Sequence, residues 1–315
     1  MPSRHDILAI GASAGGIEAL QQVISELPSD LGAAVFVVMH IQPRAKSLLP
    51  EILGKAGNLT ALHPKDGEPI QYGRIYVAPP DHHLVIERDR VHLSCGPKEQ
   101  HQRPCINVTF RSAASAYGDR VIGVVLSGEL DDGTAGLWEI EQRGGITIVQ
   151  HPEQAAFPSM PLSALREVEV DHTVSLAEMG PLLTRLAGGG ERRATEFNRI
   201  EYEDVGMDRV LTDLTCPECR GTIWEVSRGK SKDYQCRVGH TYSAKTMLAA
   251  HFAAQEKALY AAIVALEEGA SLATRLADQF DPVFAERLRA ESHEREIQAG
   301  KMKELLKDRM SFEID

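Results

Sequence analysis

No stretch of this chain approaches the ~18–20 consecutive apolar residues that a membrane-spanning helix needs, so direct membrane insertion is not expected. An excess of positive charge is also missing. Lys and Arg number 34 against 45 Asp and Glu, for a formal net charge of −11. A phosphate backbone is therefore a poor main partner, and no nucleic-acid role is expected. The start, Met1 to Asp6, is polar and the apolar run after it is brief, which does not read as a secretory signal. Cysteines are few, five in 315 residues. With no signal they fit a reducing cytoplasm better than a disulfide framework. Tandem repeats and low-complexity tracts are absent. What remains is ordinary globular composition, 43% hydrophobic and 25% charged, in a chain long enough for two domains or one large one.

Up to about residue 188, strand-like apolar runs alternate with helix-like segments. Strands are expected at Ile7–Ile10, Ala34–Met39, Arg74–Ala78, His83–Glu87, Val91–Ser94, Val121–Ser127, Ile146–Gln150 and Glu169–Thr173. Helices are expected at Ile17–Leu27, Leu48–Gly57, Ile106–Tyr117, Gly133–Arg143, Ser159–Leu165 and Leu176–Leu186. This alternation predicts an α/β fold, a doubly wound and mostly parallel sheet. His83–Ser94 reads as an antiparallel hairpin within it. A glycine-rich, polar stretch then marks a linker at 189–210. Residues 211–243 form a small ribbon-like unit and 244–315 a helical tail, broken at Asp281-Pro282.

The most informative window is Ile7-Leu-Ala-Ile-Gly-Ala-Ser-Ala-Gly-Gly16. An apolar strand runs into Ser13 between glycines, and a helix follows at once. A nucleophile elbow has this layout. The same residues also allow a degenerate dinucleotide-binding turn or a plain βα turn. A catalytic serine needs a base and a group to orient that base, and in an open α/β sheet both belong at the carboxyl ends of strands. The strand Ala34–Met39 ends on His40, and Val121–Leu126 leads into Ser127-Gly-Glu-Leu-Asp-Asp132-Gly133. Each alone has a duller explanation: a structural histidine, or an aspartate capping the next helix. Together they place three triad residue types on one sheet edge, in an order that is not that of α/β-hydrolases.

Six ordered blocks, IGASAGGIEAL, VVMHIQP, GRIYVAPPDHHL, HQRPCINVTF, GVVLSGELDDGTAGL and AAFPSMPLSAL, resemble the catalytic domain of CheB-type protein-glutamate methylesterases, over about residues 6–187. The resemblance implies Ser13 as nucleophile, His40 as base and Asp132, the residue directly before Gly133, as the orienting acid. It implies cytoplasmic hydrolysis of γ-glutamyl methyl esters on a methylated chemoreceptor or related signalling protein, often with deamidation of receptor glutamines. No cofactor is implied for that step. Three departures stand out. Ala14 replaces a common Thr, Glu129-Leu130 a usual Met-Gly, and Pro104-Cys105-Ile106-Asn107 a Pro-Ser-Val-Asp block. Arg103 beside that block is a candidate for substrate binding, with a surface ion pair as the alternative. Full-length chemotaxis members carry an N-terminal receiver domain. This chain leaves no room for one ahead of the elbow, so the enzyme is expected to be constitutive, controlled by a partner, or controlled by its own C-terminal region. Two other functions compete: a catalytically weak or inactive binding module that kept the fold, and a nucleotide-binding enzyme.

The other motif is Cys216-Pro-Glu-Cys219, followed after residues 220–235 by Cys236-Arg-Val-Gly-His240. Three cysteines and a histidine at this spacing suit a closed, tetrahedral, structural Zn²⁺ site. A reduced Cys-x-x-Cys with unrelated neighbours, or a redox pair, is the alternative. Short strands at Gly221–Val226 and Tyr234–Gln235 complete a zinc-ribbon-like hairpin, too small to fold without a staple. The helices after Ala244 carry a modest apolar stripe. They suit packing on the ribbon, self-association or a regulatory partner. Met247, Met302 and Met310 read as packing residues.

Overall fold

Short apolar runs form parallel strands when helices can cover both faces of the sheet. The first part of the computed structural model, which describes residues 5–43, 46–188, 209–228 and 231–309, is built this way. Its elements run β1 (Ile7–Ala12), α1 (Gly16–Ser25), β2 (Ala34–Met39), α2 (Leu49–Ala56), β3 (Thr60–Leu62), β4 (Arg74–Val77), β5 (His83–Glu87) and β6 (Arg90–Ser94). They continue with α3 (Ile106–Tyr117), β7 (Val121–Val125), α4 (Thr134–Gln142), β8 (Ile146–Gln150), α5 (Ser159–Glu167), β9 (His172–Val174) and α6 (Leu176–Ala187). The main sheet has the order β3-β4-β2-β1-β7-β8-β9, and every pairing in it is parallel.

Alternate residues of the fully buried β1 serve two cores. Leu8 and Ile10 pack with Leu20, Val23 and Ile24 of α1 and Leu183 of α6. Ile7 and Ala9 pack with Ile106 and Phe110 of α3 and Leu137 of α4. Burying each large aliphatic side chain contributes about 1.5–3 kcal/mol, so the sheet frame is set by many such contacts. The strand order reverses beside β1: the chain moves outward through β2 and β4, then returns to β7 on the other flank. In open α/β sheets, the crevice at such a reversal is where sites form.

Two expectations need correction. The His83–Ser94 hairpin exists, but β5 and β6 form a separate two-stranded sheet. Its antiparallel ladder leaves the main sheet wholly parallel. The chain also contains β3, a three-residue edge strand that no apolar run announces.

Of the expected linker, 189–208 lies outside the described residues, and Arg209 already begins a strand. The ribbon has four antiparallel strands rather than two: β10 (Arg209–Thr215), β11 (Thr222–Arg228), β12 (Ser231–Cys236) and β13 (Thr241–Ser243), in that order. Two long helices follow, α7 (Ala244–Ala277) and α8 (Pro282–Arg309). Asp281 Oδ1 accepts from the N–H groups of Val283 and Phe284 and so caps α8. The chain divides into two compact units, one up to Thr246 and one from Met247. The second is an antiparallel hairpin. Ser292 Oγ donates to the Ala270 carbonyl and lies 2.9 Å from Thr274 Oγ1, and Lys303 pairs with Glu267. No described helix is long and apolar enough to cross a membrane.

Candidate active site and candidate metal centre

Ser13 follows the last residue of β1 and His40 the last residue of β2, so the parallel register sets both at one edge of the sheet. The serine turn needs Gly15, which sits at φ 67°. A Cβ there would also meet Ala156 Cβ at 2.8 Å. On the other side Gly128 lets the loop after β7 close on the serine, since a Cβ would fall 2.8 Å from Ser13 Cβ. Ser127 ties these loops together. Its Oγ donates to the Ala14 carbonyl and accepts from Phe157 N–H.

Ser13 Oγ lies 3.0 Å from His40 Nδ1, and His40 Nε2 lies 2.7 Å from Asp132 Oδ2. An ionised carboxylate only accepts. Nε2 therefore carries the proton toward Asp132, and Nδ1 is left as the acceptor facing Ser13.

Asp132 is held from the opposite side by the start of α3. Ile106 N–H donates to Oδ2, while Asn107 N–H, Gly133 N–H and the Cys105 thiol donate to Oδ1. Burial alone would raise its pKa. The His40 hydrogen bond and charge, with the Ile106 and Asn107 N–H groups, outweigh burial and hold the carboxyl below its usual range. The positive end of α3 favours the same ionised state. Asp132 is not the cap of α4. That position belongs to Gly133, at φ 96°. The Cys105 thiol is pushed well up, first by burial and then by the Asp132 charge, and so stays a protonated donor.

These contacts give Cys105 and Asn107 structural roles. The 104–107 block is the cradle of Asp132. The buried Asn107 side chain accepts at Oδ1 from Gly133 and Gly136 N–H, so it joins α3 to α4. Glu129 is exposed on the loop.

Arg103 is engaged at four points. Nε and one terminal nitrogen donate to Asp81 Oδ1, and the other terminal nitrogen donates to the carbonyls of Cys95 and Gly96. This geometry supports loop fixation more directly than substrate binding.

The ribbon brings Cys216, Cys219, Cys236 and His240 together, with all ligand atoms within 4.8 Å of one another. Cys219 and Cys236 sulfurs are 3.7 Å apart, and His240 Nδ1 lies 3.6 and 3.5 Å from the Cys216 and Cys236 sulfurs. A tetrahedron with ordinary Zn–S and Zn–N bonds has edges of about 3.8 Å (S···S) and about 3.6 Å (S···N). The donor set therefore fits such an ion. Tyr242 Oη, buried 3.5 Å from Cys216 Sγ, adds a donor to a thiolate there.

The CheB methylesterase family profile matches residues 8–183. A Methanosarcina acetivorans protein-glutamate methylesterase/protein-glutamine glutaminase is 39% identical over 192 residues, covering 58% of this chain and 54% of that protein. A Leptospira interrogans protein, provisionally given the same name, is 38% identical over 183 residues, covering 58% of this chain and 95% of its own length. Among solved structures, the CheB methylesterase catalytic domain of Thermotoga maritima is similar, with a TM-score of 0.55 and 31% identity. The match covers 57% of this chain and 98% of that one.

Proposed function

The chain belongs to the CheB methylesterase family, and from that premise we propose that it is a serine hydrolase acting on γ-glutamyl methyl esters of chemoreceptors in the cytoplasm. Glutamine deamidation is the second reaction that the same acyl chemistry allows. The observation that carries this reading is the continuous Ser13–His40–Asp132 hydrogen-bond chain at the carboxyl edge of the sheet.

Ser13 Oγ attacks the ester carbonyl as its proton passes to His40 Nδ1. Asp132 stays ionised and stabilises the imidazolium. In this mechanism backbone N–H groups at the start of α1 serve as the oxyanion donors. The intermediate collapses as His40 returns the proton to the leaving methoxy oxygen, which departs as methanol. Water, deprotonated by His40, then attacks the acyl-enzyme and releases the glutamate carboxylate and free Ser13. We further propose that Cys216, Cys219, Cys236 and His240 hold a structural Zn²⁺ that takes no part in these steps.

Methanol release from a methylated receptor tests the esterase reading. The unsubstituted chain should release methanol, and Ser13→Ala should release none above background. Equal release by both would remove Ser13 from the mechanism. A folded but inactive unsubstituted chain would favour the binding-module alternative.

A further inference from the structure

The ribbon lies against the segment that leads into the Asp132 cradle, and the contacts are specific. Gln100 is 3% exposed. Its N–H donates to the Thr241 carbonyl at 2.7 Å. Its side-chain oxygen accepts from Ser243 N–H at 2.9 Å and from the Thr246 hydroxyl. Gln100 and His101 both hold positive φ, 53° and 63°. A glutamine has no intrinsic reason to stay there, so the surrounding contacts must fix it. Glu99 pairs with Thr241 of β13 through a parallel bridge. On the outer side, Glu218 between the two knuckle cysteines meets Lys98 at 3.1 Å and His101 at 2.9 Å.

From this strap the contacts continue to the triad. The Glu99 carboxylate forms a two-pronged pair with Arg111 of α3, at 2.6 and 2.5 Å. The buried Asp233 of β12 adds its charge to the same guanidinium. The N-terminal turn of α3 then supplies the Ile106 and Asn107 N–H groups to Asp132. The ribbon end also reaches the loop carrying the aspartate from its far side. Lys245 Nζ lies 3.4 Å from Ser159 Oγ, and that hydroxyl donates to the carbonyl of Leu130, two residues before Asp132.

We infer that the ribbon is a positioning element of the esterase site, acting through Gln100: it fixes the Lys98–Arg103 strap and so keeps the start of α3 on Asp132. Gln100 is a positioning residue here, and it touches no reacting atom. This inference rests on the esterase reading only for its kinetic consequence. The structural link stands or falls by itself.

The test uses the full chain with its metal. Gln100→Met keeps the length of the side chain and removes the acceptor. Thr246→Val removes the hydroxyl, and Thr246→Ser restores it. A small soluble glutamate γ-methyl ester is the substrate, because it does not reach the ribbon. Misplacing a triad partner by a fraction of an ångström costs rate rather than binding. Gln100→Met and Thr246→Val should thus lower kcat about tenfold with KM within about twofold, and Thr246→Ser should restore kcat.

Backbone hydrogen exchange should rise at Ile106 and Asn107 in both impaired variants and stay unchanged in β1 and β2. Wild-type kcat with unchanged exchange at Ile106 and Asn107 would overturn the inference. So would a loss of kcat with no local rise in exchange. Should the unsubstituted chain hydrolyse nothing, the esterase reading fails, while exchange at these two amides still decides whether the ribbon holds the Asp132 cradle.

Discussion

Asp132 and the Cys216–His240 cluster are two polar sites of one compact unit, and they are stabilised in opposite ways. Asp132 is surrounded by donors that the chain itself supplies: His40, the Cys105 thiol and the N–H groups of Ile106, Asn107 and Gly133. The sheet and helices that carry those donors are already fixed by two apolar cores. The ribbon has little core of its own, with Ile223 and Val226 among its few buried aliphatic side chains. Its three sulfurs and one imidazole crowd within 4.8 Å of one another. A thick apolar frame can hold a charge with hydrogen bonds alone. The proposed Zn²⁺ would supply the frame that a thin ribbon lacks.

Asp132→Asn breaks the first half of this comparison. The amide presents an N–H or a weaker acceptor to His40 and so disturbs its tautomer. The change should lower kcat about 10³–10⁴-fold and also lower the thermal midpoint, since in either orientation the amide NH2 faces backbone N–H groups that the carboxylate accepted, as kinetics and calorimetry on the same samples would show. An activity near that of the unsubstituted chain would remove Asp132 from the triad.

Metal removal breaks the second half. A strong chelator should release one Zn²⁺ per chain, measured by a colorimetric assay. Protection from hydrogen exchange should vanish in β10–β13 and persist in β1, β2 and β7. Protection that survives in the ribbon without metal would mean that the Cys₃His cluster is not its staple.

Asp131 sharpens the contrast, because it neighbours Asp132 but lacks the same donors. Burial pushes its carboxyl up to about 6; the nearby Ser243 opposes the rise and the Asp132 charge adds to it. A carboxyl raised in the fold favours the protonated form. Its contribution to stability is therefore present below the unfolded value of about 3.9 and is lost as pH rises through about 6. Asp131→Asn should flatten that part of the stability profile, a gain of ~1–3 kcal/mol at pH 7.5 relative to pH 4. Denaturant unfolding of both proteins across this range checks the sign. The smallest effect is expected at Glu218→Gln, which weakens partly exposed pairs to Lys98 and His101. It should cost at most about 1 kcal/mol and less in high salt.

The sequence made one of these regions easier to read than the other. Ser13, His40 and Asp132 were legible because continuous apolar strands end just before them, or one loop before in the case of Asp132. Parallel register then forces those ends to one edge. The clustering of Cys216, Cys219, Cys236 and His240 was legible by spacing alone. Gln100 and Glu99 were not, because their partners Thr241, Ser243 and Thr246 lie far along the chain and no local pattern links them, and Arg111 takes its role from Glu99. The role of the 104–107 block was missed for a related reason: Cys105 and Asn107 act on Asp132 and on the helix after it, inside the packing of α3 against α4. The edge strand β3 has only three residues, none of them buried, so it left no apolar signal.

The central claim is that Ser13 is a nucleophile activated by His40. A serine-directed fluorophosphonate, followed by intact mass and peptide mapping, tests this most directly. The account predicts one adduct per chain, located on Ser13, and a strong loss of labelling rate in folded His40→Ala. Absence of an adduct on folded protein, or labelling of Ser13 at an unchanged rate in His40→Ala, would contradict it.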